Sequence, residues 1–262
     1  MERTYSFILP AYNESERLAT SLPKILEYIR QQQISAEILV VNDGSRDGTA
    51  DVVRSFAATA PIIGLLENPG NRGKGYSVRN GMLHAKGDFV LFTDADLSSP
   101  IYEASKLFAV LDAGADVAIG SRWLRRELQT EPQPWYRQLY GRLFNLALRL
   151  TLGLQYKDTQ CGFKAFRRQA AQIIFSRQQI ERWGFDPELL FLADKFHLKV
   201  SEVAVEWAHD HRSKINPLRD GIKMANEMFK IRWNEMKKRY EQPSVVLEES
   251  HTRSIVPVPM PK

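Results

Sequence analysis

The stretch Phe89-Val-Leu-Phe-Thr-Asp94-Ala-Asp96-Leu-Ser-Ser-Pro100 joins a short apolar run to two carboxylates one residue apart. A run of this length between turn-forming residues is typical of a buried strand in a parallel sheet. Ligands of such sheets bind beyond the carboxyl ends of the strands, which is where Asp94 and Asp96 fall. The pair is therefore placed to hold a hard cation and, through it, a phosphate. Taken alone, the same residues also suit a helix cap and an ordinary turn, so the flanking sequence has to decide.

Similar apolar runs occur on both sides of this stretch. They predict strands at 5–9, 37–41, 62–66 and 117–121, and helical patterns lie between them, including one at 101–113. Strands that alternate with helices in this way predict an α/β fold, with a mostly parallel sheet and helices on both of its faces.

The pattern changes after Arg122, where basic helical segments become prominent and a strand is predicted at 199–205. We expect one domain over 1–241, with a nucleotide-binding half at about 1–122 and an acceptor and membrane-interface half at about 123–241. Residues 242–262 contain four prolines and no core-forming periodicity, and they are predicted to be a disordered tail.

Composition limits the possible partners and compartment. The 262 residues suffice for a full hydrophobic core, and a hydrophobic content of 44% is that of a soluble globular protein. The single cysteine, Cys161, excludes an internal disulfide and fits a reducing compartment. The N-terminal residues enter a predicted strand directly, so no signal peptide is expected. A net charge of +5 favours an anionic partner without identifying it.

Polar residues suited to a nucleotide follow the predicted strands of the first half. The clusters are Pro10-Ala-Tyr12-Asn-Glu14, Asn42-Asp43-Gly-Ser45, Gly73-Lys74-Gly75, Asp94-Ala-Asp96 and Ser121-Arg122. Because the carboxyl ends of parallel strands lie along one rim, we expect these clusters to line one cleft. There Asp43 can accept hydrogen bonds from a base or a ribose, and Lys74 can bind a diphosphate oxygen. Asp94 and Asp96 would hold Mg²⁺ or Mn²⁺, which neutralises a departing diphosphate.

Each cluster also has a purely structural interpretation. Asn42-Asp-Gly-Ser suits a strand-to-helix turn, and Gly73-Lys-Gly suits a loop with a solvated lysine. Pro10 and Asn13 suit the end of a strand and the cap of a helix. It is the placement of all the clusters at successive strand ends that favours a binding site.

The order of these motifs resembles that of family 2 glycosyltransferases. The resemblance covers roughly residues 4–240, and it includes Asn71-Arg-Gly-Lys74-Gly, Gly120-Ser-Arg122 and Asp158-Thr-Gln160-Cys-Gly-Phe-Lys164. Within the family the chain is most similar to polyprenyl-phosphate enzymes, especially dolichyl-phosphate β-glucosyltransferases. This implies a GT-A fold and inverting transfer of a sugar from UDP-glucose or GDP-mannose to a lipid phosphate at the cytoplasmic face of a membrane. The lean towards UDP-glucose rests on the resemblance alone.

The resemblance also assigns roles to individual positions. Nucleoside contacts fall on Pro10, Tyr12, Glu14 and Asp43, and the metal and diphosphate motif falls on Asp94 and Asp96. Ser121 and Arg122 match positions near the acceptor phosphate, and Gln160 lies in a segment that lines the same cleft. Lys214 matches a basic residue over the donor diphosphate. We expect Asp96 to be the principal metal ligand and Asp94 to contact the donor sugar or ribose.

One departure from the family concerns the membrane. Many relatives carry transmembrane helices after the catalytic domain, whereas no stretch here approaches the roughly 18 apolar residues that a spanning helix needs. Between Arg122 and Arg149 six arginines face two glutamates, among aromatic residues and leucines. This pattern is typical of an interfacial helix, and also of a core helix with snorkelling arginines. We expect peripheral membrane association, no nucleic-acid partner and an oligomeric state that the sequence does not define.

Two other function classes explain the sequence less completely. A nucleotide-dependent oxidoreductase would explain Asp43, but the first strand is followed by Pro-Ala-Tyr-Asn-Glu and not by a glycine-rich fingerprint. A non-catalytic membrane-surface protein would leave the carboxylates without a purpose. Cys161 is interpreted as a packed thiol, and Glu188 as a capping or packing residue with a smaller prospect of acceptor-site work.

Overall fold

The computed structural model describes residues 3–131, 146–208 and 217–244. In chain order the strands are β1 (Thr4–Ala11), β2 (Ser35–Asn42), β3 (Ile63–Glu67), β4 (Phe89–Thr93), β5 (Val117–Ser121), β6 (Gln129–Glu131), β7 (Phe163–Arg167), β8 (Val200–Ala204) and β9 (Trp207–Ala208). The helices are α1 (Ser15–Gln32), α2 (Thr49–Thr59), α3 (Lys74–His84), α4 (Ala104–Asp112), α5 (helical at 146–152), α6 (Arg168–Phe175), α7 (Phe185–Lys195) and α8 (Pro217–Met236). Short 3₁₀ turns cover Ile101–Glu103 and Arg126–Leu128.

Seven strands form one sheet in the order β3-β2-β1-β4-β7-β5-β8. All neighbours are parallel except β7, which is antiparallel to both β4 and β5. This confirms the predicted α/β fold with a mostly parallel sheet. The carboxyl ends of β1, β2, β4 and β5 consequently lie along the same edge, where the polar clusters were predicted to meet.

The two faces of the sheet bury separate hydrophobic layers. Alternate residues of one strand enter different layers: Phe89 and Leu91 pack with α1, α2 and α4, whereas Val90 and Phe92 pack with α3, α6 and α7. Such alternation follows from the two-residue period of a strand. Every residue of β4 is buried, so the turn carrying Asp94 and Asp96 starts from a strand held on both sides.

Helices α5 and α8 pack against each other at the margin of the second layer. Leu148, Leu152, Met228 and Ile231 are buried in that layer, and the Arg232 Nε donates a 2.5 Å hydrogen bond to the carbonyl oxygen of Thr151. Within the described residues, no helix is both long enough and apolar enough to cross a membrane. The inward residues of α5 and α8 thus belong to the core, and an interfacial role for the basic segment stays a prediction.

Some predicted features differ from the structure or lie outside it. Pairing of β7 between β4 and β5, and the small parallel sheet β6–β9, were not predicted. Half of the basic segment (132–145), Lys214 and most of the predicted tail (245–262) lie outside the described residues.

Candidate active site

The turn after β4 holds the two carboxylates in a fixed arrangement. The Leu97 N–H donates to the Asp94 carbonyl oxygen at 3.1 Å, and Leu97 adopts a positive φ of 50°. The Ser98 N–H donates to Asp96 Oδ1 at 2.9 Å. Burial and the neighbouring charge of Asp94 raise the pKa of Asp96 above its ordinary value. A bound cation would stabilise the ionised Asp96 carboxylate against both its burial and its repulsion by Asp94.

Lys74 lies directly against this turn. Its Nζ is 2.5 Å from Asp94 Oδ1, and it lies 5.7 Å from the ring centre of the half-exposed Trp183. Burial opposes the ammonium charge, but the charges of Asp94, Asp186 and Asp96 outweigh it and raise the pKa of Lys74. The lysine therefore stays protonated, and its predicted contact with a diphosphate oxygen stays a prediction.

Gly162 allows the turn after Asp158 to approach the carboxylates. A Cβ built on Gly162 would lie 2.4 Å from Asp94 Oδ2, closer than any side chain tolerates. A larger residue at position 162 would therefore have to displace the Asp94 side chain from its present position beside Lys74. The fit brings the Asp158–Lys164 motif to the same place as Asp94, although 64 residues separate Asp94 from Asp158.

Asp43 shapes the loop that carries Lys74. Its Oδ1 accepts hydrogen bonds from Asn68 Nδ2 at 2.8 Å and from the Arg72 N–H at 2.9 Å, and its Oδ2 accepts one from the Gly73 N–H at 2.8 Å. The residue is buried, so these bonds are strong local constraints. One lone pair of Oδ2 remains for a ligand, and the predicted nucleoside contact of Asp43 stays a prediction.

The carboxyl ends of β1 and β2 lie side by side. Pro10 pairs with Val41 in the sheet register, and Tyr12, just after β1, is exposed. Glu14 accepts both hydrogen bonds of its ion pair from Arg17 Nη1, at 2.7 and 2.8 Å. The Arg17 charge in turn lowers the pKa of Asp96, against the larger effects that raise it. Arg17, in the first turn of α1, is thus a basic residue near Asp96 to which the sequence analysis gave no role.

Arg122 is held by Asp158 in a two-pronged ion pair. The Arg122 Nε donates to Asp158 Oδ2 at 2.7 Å, its Nη2 donates to Oδ1 at 2.8 Å, and its backbone N–H donates to Oδ2 at 2.9 Å. Although burial opposes charge on both groups, the Arg122 guanidinium lowers the pKa of Asp158, and Asp158 raises the pKa of Arg122. The predicted acceptor arginine is therefore oriented by a carboxylate that sequence analysis gave no role.

The other predicted acceptor-side residues lie next to this pair. The Gln160 backbone N–H donates to Asp158 Oδ1 at 3.3 Å. Ser121 is fully buried, and its Oγ has no hydrogen-bond partner among the described residues. The ring centre of Trp207 lies 5.4 Å from the Arg122 guanidinium carbon. Phosphate contact by Ser121 or Gln160 stays a prediction.

A second lysine–aspartate pair, Lys164–Asp186, lies close to Lys74 and Arg122. Lys164 is fully buried, and its Nζ donates to Asp186 Oδ1 and, at 2.7 Å, to the Cys161 carbonyl oxygen. The Asp186 charge acts on both Lys74 and Arg122. Asp186 therefore lies near both the predicted donor side and the predicted acceptor side, a proximity that no spacing in the sequence indicated.

The residues present fit a divalent cation held mainly by its substrate. No group of three or more His, Cys, Asp or Glu side chains that could hold a metal exists in the described part of the chain. Mg²⁺ and Mn²⁺ in nucleotide sites are commonly held by one or two carboxylates together with phosphate oxygens and water. Asp96, whose pKa is raised beside Asp94, is suited to be such a ligand, whereas Asp94 is already paired with Lys74, and its role as metal ligand stays a prediction.

Comparison with known sequences gives a consistent result. Residues 6–175 match the model of glycosyl transferase family 2. A dolichyl-phosphate beta-glucosyltransferase of Trichomonas vaginalis is 38% identical over 236 residues, which cover 86% of this chain and 72% of that protein. The Homo sapiens dolichyl-phosphate beta-glucosyltransferase is 32% identical over 245 residues, covering 87% of this chain and 74% of the human protein.

Solved structures share the architecture at lower identity. Glucosyl-3-phosphoglycerate synthase from Mycobacterium tuberculosis, in complex with Mn²⁺, UDP and glucosyl-3-phosphoglycerate, superposes with a TM-score of 0.65. It is 21% identical, and the match covers 92% of this chain and 81% of the synthase. A mannosyltransferase from Pyrobaculum calidifontis in complex with GDP-Man and Mn²⁺ gives a TM-score of 0.60 at 20% identity. That match covers 90% of this chain and 65% of the mannosyltransferase. These likenesses show the GT-A fold.

Proposed function

The chain belongs to glycosyl transferase family 2, and we propose that it transfers a hexose, glucose, from a UDP-sugar to dolichyl or another polyprenyl phosphate. The observation that carries this proposal is the meeting of two charged groups at one sheet edge. Lys74, Asp94 and Asp96 form the first, the Arg122–Asp158 pair forms the second, and Asp186 acts on both. The names of the relatives supply the acceptor class and the sugar.

On the donor side, the charges suit a nucleoside diphosphate. Lys74 would exchange its contact with Asp94 for a diphosphate oxygen, which leaves Asp94 available to a sugar or ribose hydroxyl. Asp96 would be the principal ligand of Mg²⁺ or Mn²⁺, and such a cation stabilises the charge that develops on the departing diphosphate. Tyr12 and the loop shaped by Asp43 would hold the nucleoside, and Lys214 is proposed from the motif alone.

On the acceptor side, Arg122 would orient the lipid phosphate. One phosphate oxygen attacks the anomeric carbon from the face opposite the diphosphate, the bond to the diphosphate breaks, and the configuration inverts. A phosphate monoester has a second pKa of about 6, so the attacking oxygen is already ionised near neutral pH. Positioning and electrostatics therefore suffice, and no dedicated general base is required.

Helices α5 and α8 would supply the membrane contact. Their outward faces expose Leu146 and Leu150 on α5, and Phe229, Trp233 and Met236 on α8. Each set repeats at three- or four-residue intervals, so each forms one stripe on its helix. Exposed Arg149, Lys230 and Lys237 are interleaved with these stripes. Apolar stripes flanked by cations match an anionic bilayer surface, which we propose to be the cytoplasmic face.

A donor panel tests the proposed reaction. Purified protein is assayed with a short polyprenyl phosphate and with UDP-glucose, UDP-galactose or GDP-mannose, each with and without Mn²⁺. We expect metal-dependent formation of a glucosyl phospholipid from UDP-glucose. Transfer from GDP-mannose and from neither UDP-sugar would show that the donor is GDP-mannose. Metal-dependent binding of a donor without any product would favour a non-catalytic binding protein.

Vesicle sedimentation tests the membrane contact. Trp233→Ser should weaken binding to phosphatidylserine vesicles, because it removes a large aromatic side chain from the stripe. Ile62→Ser, at an exposed apolar residue before β3, is the matched control. Equal binding by the two variants would contradict the assignment of this face.

A further inference from the structure

We infer that Glu188 and Tyr240 are positioning residues for Lys74, acting through the loop Gln178–Arg182, which we name the shelf. This inference rests on the proposed role of Lys74 at the donor diphosphate. Neither Glu188 nor Tyr240 reaches the cleft, since both are completely buried. Their effect therefore has to pass through the backbone segments that they hold.

The turn that carries Lys74 sits directly on the shelf. The Tyr76 N–H donates to the Glu181 carbonyl oxygen at 2.9 Å, and Gln178 Nε2 donates to the Gly75 carbonyl oxygen at 2.9 Å. A Cβ on Gly73 would lie 2.6 Å from the Glu181 carbonyl oxygen. The two backbones are thus in contact on both sides of Lys74, so a displacement of the shelf displaces the lysine.

Glu188 holds the shelf from behind. Its Oε1 accepts the Gln179 N–H at 3.1 Å, and its Oε2 accepts the Ile180 N–H at 2.9 Å. Glu188 lies in the first turn of α7, whose residues from Phe185 to Ala193 are buried. The shelf is therefore fixed to a helix that itself has little freedom to move.

Tyr240 lies in the segment that follows α8, and Tyr240 and Glu188 together are called the clamp. Its hydroxyl donates to Glu188 Oε1 at 2.7 Å, and its ring centre is 6.0 Å from that of Phe191. Burial raises the pKa of Glu188 to about 7, against the hydrogen bonds from Tyr240, Ile180 and Gln179, which lower it. The hydroxyl thus helps to keep the carboxylate ionised and able to accept both shelf N–H groups.

Tyr240→Phe tests the inference, with Tyr156→Phe as the matched control. The first variant keeps the ring and removes only the hydroxyl. The second removes the hydroxyl that donates to Asp194, near the other end of α7. Two quantities are measured: UDP affinity in the presence of Mn²⁺ by calorimetry, and amide hydrogen exchange of peptides covering 72–77 and 178–182.

Tyr240→Phe should weaken UDP binding about 3- to 10-fold, which corresponds to one lost hydrogen bond, and should speed exchange in both peptides. The kcat at saturating donor should stay within about twofold, because positioning acts on donor binding. Tyr156→Phe should change neither quantity. Glu188→Gln, which keeps the shape but has fewer acceptor sites, should reproduce the Tyr240→Phe pattern.

Amide exchange in Tyr240→Phe at the wild-type rate would overturn the inference. So would faster exchange and weaker UDP binding in Tyr156→Phe equal to those expected for Tyr240→Phe. Faster exchange with unchanged UDP affinity would also overturn it, because Lys74 would then not depend on the shelf. If the wild-type protein binds no UDP with Mn²⁺, the proposed donor is wrong, and the exchange data alone decide whether the clamp holds the Lys74 turn.

Discussion

Two lysine–aspartate pairs lie close to the same cleft, and they differ mainly in their surroundings. In Lys74–Asp94, the more exposed pair and called the exposed pair below, the side chains are 18% and 38% exposed. In Lys164–Asp186, called the buried pair, they are 0% and 8% exposed. The first pair has a second carboxylate, Asp96, beside it. The second pair is also held by the Cys161 carbonyl oxygen. The same two functional groups can therefore serve ligand exchange in one place and rigid support in the other.

The largest expected effect concerns the carboxylate beside the exposed pair. Asp96→Ala should abolish transfer, by about 10³-fold or more, because the proposed metal loses its principal ligand. The fold should persist, since Asp96 is at a turn and accepts its backbone hydrogen bond from the nearby Ser98 N–H. Turnover in saturating Mn²⁺ and circular dichroism are measured together. Near-normal turnover would remove Asp96 from the site, and Asp51→Ala, at an exposed carboxylate on α2, is the control.

Breaking the buried pair should instead damage the fold. Lys164→Met would leave Asp186 buried without its cation, a change that typically costs about 3–5 kcal/mol. The free energy of unfolding in urea measures the loss. Adding Asp186→Leu to Lys164→Met should recover much of that loss, because the unpaired charge is then removed as well. If Lys164→Met alone were as stable as the wild type, Lys164 would not be a structural support.

The exposed pair should give the opposite result. Lys74→Met should weaken UDP binding about 10-fold, because one charge-assisted contact with the diphosphate is lost. Unfolding free energy should change by less than about 1 kcal/mol, since Asp94 is partly solvated and can recover hydration. Calorimetry and urea unfolding on the same preparation check both statements. A large loss of stability without a loss of affinity would reverse the roles of the two pairs.

The contrast also shows what the sequence could predict. The strands of the first half and the carboxylate turn follow from local apolar runs and turn residues, which is why the sheet edge was predicted well. The partners Asp158 for Arg122 and Asp186 for Lys164 depend on how β7 pairs between β4 and β5. No local period encodes that pairing, because it is set by long-range packing. The support near Lys74 and Arg122 was therefore found only in the structure.

Cys161 offers a smaller but direct measure of the buried pair, because it is the single cysteine of the chain. Burial, followed by the charge of Asp158, raises the pKa of its thiol to about 11. Since the thiolate is the reactive form, labelling by a disulfide reagent at pH 8 should be slow in the native protein. Lys164→Met should speed it several-fold, because loss of the hydrogen bond to the Cys161 carbonyl oxygen loosens this turn, an effect expected to exceed the loss of the Lys164 charge, which lowers the thiol pKa. Lys74→Met should not speed it. Equal labelling rates in the two variants would mean that the buried pair does not hold this turn, and its distinction from the exposed pair would then rest on stability alone.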